Sequence, residues 1–147
     1  MLDEVVTSSS SYSQPGISEN TVLQMDERLM AGLQFINTHY SQPPLSLSRV
    51  SKSAGLSVWH FSRLFNKHVG MGFREYLKNV RLKHACKLLV TSNLTIKETA
   101  AMVGYTHLSD FYHHFKQCFD VSPVVYRRRA AMLYMSSVDA TEPNRKQ

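Results

Sequence analysis

Two stretches of this chain follow one plan. SKSAGLSVWHFSRLFNKHVG, from Ser51, and AAMVGYTHLSDFYHHFKQCFD, from Ala100, each run from a small residue through a glycine and a hydroxyl residue to paired aromatics. Ile96 stands for Leu47, Ala100 for Ser51, Gly104 for Gly55, Thr106 for Ser57, Phe111 for Phe61 and Phe115 for Phe65. The offset is 49 residues before the turn and 50 after it, so the second copy carries one extra residue just past its glycine. A chain of 147 residues with 43% hydrophobic content can form one domain or two small helical subdomains sharing a linker. The repeat selects the second arrangement.

Periodicity supports an all-α chain. From about Asn20, Met25, Leu29, Leu33, Ile36 and Tyr40 form one apolar helical face, which Pro43 and Pro44 end. Leu47, Val50 and Ala54 make a short amphipathic helix, and after Gly55 and Ser57 the helical period restarts with Phe61, Leu64, Phe65 and Val69. A longer helix is predicted over Phe73 to Leu89, with Tyr76, Leu77, Val80, Ala85, Leu88 and Leu89 inward and Lys78, Arg81, Lys83 and Lys87 on its surface. The second copy follows, and Pro123 opens a last short helix, VVYRRRAAML. No β-strand pattern emerges. The expected organisation is a disordered polar lead over 1–20, a first helix-turn-helix subdomain over 21–70, a linker helix over 71–90, a second helix-turn-helix subdomain over 91–133, and a polar, fraying tail over 134–147.

The term helix-turn-helix follows from what two closely crossing short helices require. The crossing needs a small side chain, supplied by Ser51 and Ala100. The turn needs a residue able to take positive φ, supplied four positions later by Gly55 and Gly104. The second helix needs an N-cap, and Ser57 and Thr106 are expected to provide it for about 1 kcal/mol each.

In such motifs the second helix enters the major groove of DNA with its N-terminal residues near base edges, while caps and helix N-termini meet phosphates. In the first copy the outward residues are Trp59, Ser62, Arg63 and Lys67, and the Arg63 guanidinium suits the O6 and N7 of guanine. Trp59 has two readings, contact with a thymine methyl or sugar, or a half-buried brace in the core. In the second copy Leu108, Ser109, Tyr112, His113 and Lys116 face outward and are weaker readers. Ser57, Lys67, Thr106 and Lys116 are the expected phosphate contacts. A linker helix of 17 residues spans about 25 Å, enough to hold two readers near the ~34 Å of one DNA turn, so that a monomer reads two successive grooves.

Charge agrees with a polyanionic partner. Between Ser41 and Arg129 stand 14 Lys+Arg against 4 Asp+Glu, a net +10, leaving 3 basic and 7 acidic residues in the flanks. Acidic lipids or an acidic protein would also suit that field. No apolar run approaches the ~20 residues of a membrane helix, and the N-terminus lacks a basic start and an apolar core, so a cytoplasmic protein is expected. Cys86 and Cys118 show no disulfide or CxxC spacing and are read as buried thiols. His114 and Cys118 could share a helix face, but two ligands do not close a zinc site. There is no Gly-rich phosphate loop and no GxSxG, and the carboxylates are dispersed, so neither an enzyme nor a cofactor is expected.

The double motif, the RLKHACKLL segment that ends the linker helix, and IKETAAMVGY followed by FYHHFKQCFDVSPVVYR resemble the DNA-binding domain of the AraC/XylS family of bacterial transcription factors over about Asp26 to Arg129. FDVSPVVYR and the Trp59-His60 pair are particularly similar to the short stand-alone multidrug-resistance and superoxide-response activators. The resemblance implies seven homeodomain-like helices in two subdomains, an asymmetric promoter site of about 20 base pairs, and recruitment of RNA polymerase. It carries the family's base contacts to Trp59, Ser62 and Arg63 and to Leu108, Ser109, Tyr112 and His113. Asp120 stands where many members have glycine, and His113 where arginine is common. Protonation of His113 is therefore expected to strengthen the second reader.

Other readings remain. Many family members carry a sensing domain upstream, which makes this chain either complete, as its initiating methionine suggests, or the output fragment of a larger effector-sensing regulator, with the polar tail a remnant linker. It could instead be an interaction module that antagonises polymerase or another regulator. Retention of Arg63, both caps and the +10 charge favours DNA binding over that last case.

Overall fold

The computed structural model describes residues 26–141, with side chains through 138; the polar lead, Met25 and the end of the tail lie outside the described residues. Among the described residues there are seven helices and no strand: α1 Glu27–His39, α2 Leu47–Ser53, α3 Val58–Val69, α4 Phe73–Thr91, α5 Ile96–Met102, α6 Leu108–Phe119 and α7 Pro123–Thr141. The chain divides into two compact units between Val80 and Arg81, inside α4. None of these helices is long and apolar enough to cross a membrane.

In the first unit, α1 starts at Asp26, whose carboxylate accepts from the Arg28 N–H at 2.7 Å. α2 starts at Ser46, which accepts from the Arg49 N–H at 3.2 Å. Leu29, Ile36, Leu45, Val50, Ala54, Phe61, Phe65, Val69 and Leu77 close the core, with the Tyr76 ring edge-on to Phe65 at 5.3 Å. Ser51 is buried at the α2 crossing, its hydroxyl donating to the Ser48 carbonyl. A second close approach went unread in the sequence. Gly32 of α1 lies against Phe61, and a Cβ there would overlap the ring at Cε2 and stand 2.8 Å from Cζ.

The second unit repeats this construction. The first turn of α5 is closed by a reciprocal Thr95–Glu98 capping box. Its buried apolar residues are Leu82, Ala85 and Leu89 of α4 with Ala100, Val103, Phe111 and Phe115. Tyr126 of α7 meets Phe115 edge-on at 5.5 Å, and the Arg127 Nε donates to the Leu89 carbonyl at 2.9 Å. Both turn glycines take positive φ, 73° at Gly55 and 102° at Gly104. α3 and α6 each end on a left-handed residue, Gly70 at φ 84° and Asp120 at φ 64°.

The helices depart from the expected pattern at several places. α4 runs to Thr91 rather than Leu89 and buries Leu82, a position not counted among its inward residues. Arg81, expected on the surface, lies over the Tyr105 ring, 6.0 Å from its centroid. The last helix is not short, since α7 continues to Thr141 through the stretch read as a polar tail. From Val124 to Glu142 there is no glycine or proline, and Ala130, Ala131, Met132 and Leu133 are strong helix formers. Cys118 is exposed and Cys86 only partly buried, so the thiols are not the buried pair expected.

Two substitutions test this account. Gly32→Ala is expected to destabilise the first unit by roughly 1 to 2 kcal/mol, because overlap with a fully buried ring outweighs the helix propensity that alanine adds. Asp120→Gly is expected to stabilise the second by roughly 0.5 to 1 kcal/mol, since glycine takes a left-handed cap without a Cβ penalty. Urea unfolding followed by circular dichroism reads both.

Candidate nucleic-acid interface

α3 turns Phe61, Phe65 and Val69 into the core, so positions four apart on its opposite side, Trp59, Arg63 and Lys67, point to solvent. Trp59 is 67% exposed, which rules out the brace in the core. Its indole lies beneath the Arg63 guanidinium, 4.8 Å from carbon to ring centroid. Such a contact is worth roughly 0.5 to 1 kcal/mol at an exposed site. Ser62 is half-buried on the same helix. His60, not among the expected contacts, is exposed and lines a shallow depression with Trp59, Arg63, Leu64 and Lys67. Ser57 caps α3, its Oγ accepting from the His60 N–H at 3.1 Å. Its own O–H remains able to donate to an anion.

α6 starts differently. Its N-cap is His107, not Thr106, and the His107 side chain makes no capping bond. The single extra residue past Gly104 explains the shift, because the 50-residue offset beyond the turn pairs Ser57 with His107. Thr106 is exposed one residue outside the helix. Leu108, Ser109, His113 and Lys116 are exposed along α6, with Leu108 at 38%. Tyr112 is half-buried, its ring edge-on to Phe111 at 6.4 Å. The expected readers of each copy thus lie on one helix, exposed except for the half-buried Ser62 and Tyr112, and the Thr106 cap is misplaced.

A group of side chains not foreseen in the sequence supports α6. The Tyr105 hydroxyl and His114 Nδ1 are hydrogen-bonded at 2.9 Å. Burial pushes the Tyr105 phenol up to about 12, against the opposing charge of Arg81, and burial lowers Arg81. A raised tyrosine stabilises the fold fully below its ordinary pKa near 10, and that contribution is lost as pH rises towards 12. On α4, burial lowers His84, aided by the charges of Lys83 and Lys87. Burial likewise raises the Cys86 thiol, which removes it as a ready nucleophile.

Residues 50–129 match the family model described as a helix-turn-helix domain. Over 102 residues the chain is 36% identical to the HTH-type transcriptional regulator GlxA of Rhizobium meliloti, covering 69% of this chain and 31% of that protein. It is 34% identical over 86 residues to the multiple antibiotic resistance protein MarA of Escherichia coli, covering 58% of this chain and 68% of that one. The C-terminal domain of AraT, a response regulator from Geobacillus stearothermophilus, superposes with a TM-score of 0.69 at 32% identity, covering 72% of this chain and 88% of that one. The chain thus spans about a third of the length of the first of these relatives.

Removing the two hydroxyls should separate the caps. Ser57→Ala is expected to cost about 1 kcal/mol in unfolding free energy, and Thr106→Ala less than about 0.5 kcal/mol. Equal costs in urea denaturation would return the cap to Thr106.

Proposed function

The chain belongs to the AraC-type helix-turn-helix family of transcriptional regulators, and on that premise we propose that it regulates promoters, most simply as an activator, by placing α3 and α6 in successive major grooves of one duplex. The observation that carries this reading is the outer side of α3, where Arg63 is exposed, oriented by Trp59, and flanked by Lys67 and the Ser57 cap. Arg63 reads a guanine through O6 and N7, Trp59 packs on a thymine methyl or sugar, and Ser62 completes the first reader. Leu108, Ser109, Tyr112 and His113 form the second, which relies more on backbone contact and groove shape. Ser57, Lys67 and Lys116 neutralise or bind phosphates, and Thr106, exposed beside the α6 N-terminus, adds a hydroxyl as a loop residue rather than as a cap.

In this reading the protein binds as a monomer, acts in the bacterial cytoplasm on the nucleoid, recruits RNA polymerase, and catalyses nothing. A second reading, the output part of a longer regulator, is favoured by the small share of GlxA that the chain spans. Both assign the same residues to DNA.

Selection of bound sequences from a random duplex pool at physiological salt tests the reading. One asymmetric motif of two blocks about ten base pairs apart is expected; a pool without enrichment would overturn it. On the selected site, Arg63→Ala should cost roughly 1 to 3 kcal/mol and relax preference at one guanine, whereas an equal loss on all sequences would make Arg63 a phosphate contact. Affinity should fall steeply with salt as phosphate counterions are released.

A further inference from the structure

The two reading helices are not held in the same way. In the first unit the residue after the turn glycine is Leu56, and the matching flank of α3 carries Leu64; both are partly buried and packed against the core. In the second unit, the 49- and 50-residue offsets put Tyr105 and His114 at these places. Instead of an apolar pair there is a 2.9 Å hydrogen bond between ring groups whose centroids lie 5.6 Å apart. Tyr105 is itself fixed from two sides, edge-on to Phe111 at 5.2 Å and beneath the Arg81 guanidinium. The unit with this bond is also the one whose reading helix has no side-chain cap.

Apolar contact is non-directional and tolerates small rotations of a helix, whereas a hydrogen bond weakens steeply with misalignment. Tyr105 sits in the turn and His114 in the second turn of α6, so their bond resists a roll of α6 about its axis. Side-chain tips lie about 5 to 6 Å from a helix axis, so a roll of roughly 20° moves them about 2 Å, enough to break a contact to a base edge. We infer that Tyr105 and His114 are positioning residues that set the rotation of α6, and so the aim of Tyr112 and His113, in place of the cap and apolar pair that set α3. The inference rests on the proposed DNA reading of α6. In this reading neither residue touches the nucleic acid.

The test uses the whole protein and the selected duplex, together with duplexes altered in one block or the other. Loss of preference in Arg63→Ala identifies the block read by α3. Tyr105→Phe keeps the ring and removes only the oxygen, and His114→Leu removes the partner. Each should lose most of the roughly tenfold discrimination per base in the α6 block while keeping that in the α3 block. His114→Asn, whose side-chain oxygen can stand where Nδ1 stands, should restore it. Partial unfolding would instead weaken binding to every duplex by the same factor, and that outcome, like unchanged discrimination in Tyr105→Phe, overturns the inference. If the unsubstituted protein selects only the α3 block, the DNA reading of α6 fails and this inference fails with it. Two selected blocks with unaltered variants would overturn the positioning role alone.

Discussion

Each unit depends on a pair of phenylalanines one helical turn apart. Phe61 and Phe65 stand 5.7 Å apart between ring centroids, and so do Phe111 and Phe115, all four essentially sealed from water. Fully burying one such ring is worth about 1.5 to 3 kcal/mol, a large fraction of the margin on which a unit of this size folds. Residues four apart share a helix side, so committing this pair to the core commits Trp59, Arg63 and Lys67, or Ser109, His113 and Gln117, to solvent. The exposed face of each helix is thus a consequence of the buried one. Gly32 belongs to the same constraint, since α1 can approach Phe61 only where it carries no Cβ.

Much of this was legible in the sequence because it rests on spacing. The repeat, the four-residue intervals of aromatics and the turn glycines predict the helices and the buried phenylalanine side of α3 and α6. What was missed rests on contacts between residues far apart in the chain, or on a register shift of one residue. Gly32 has no local signal, because a helical glycine announces a close approach only once the opposing ring is known. Arg81 reads as one more surface cation on α4 until Tyr105 is seen beneath it. Thr106 looked like a cap because a hydroxyl follows each turn glycine by two residues, yet the extra residue that resets the offset lies between that glycine and α6. The overlong α7 shows the converse, where polar residues at a chain end suggested fraying and helix propensity decided otherwise.

The two units therefore share a plan without sharing how it is secured. The first uses a hydroxyl cap and two leucines, and presents an arginine stacked on an indole. The second uses a hydrogen-bonded tyrosine and histidine with no side-chain cap on α6, and presents uncharged or titratable side chains around a single lysine, Lys116. Asp120 adds to the contrast, since it holds a left-handed conformation that Gly70 adopts without a side chain.

The helix that both units share has a kinetic consequence. α4 gives Leu77 to one core and Leu82, Ala85 and Leu89 to the other, without interruption in its 19 residues. Starting a helix is unfavourable, while each further residue adds a bond for little additional order. Whichever unit docks its end of α4 first has already formed the nucleus from which the other end can grow. Two small cores that would each face the full cost of nucleating that helix can divide it between them.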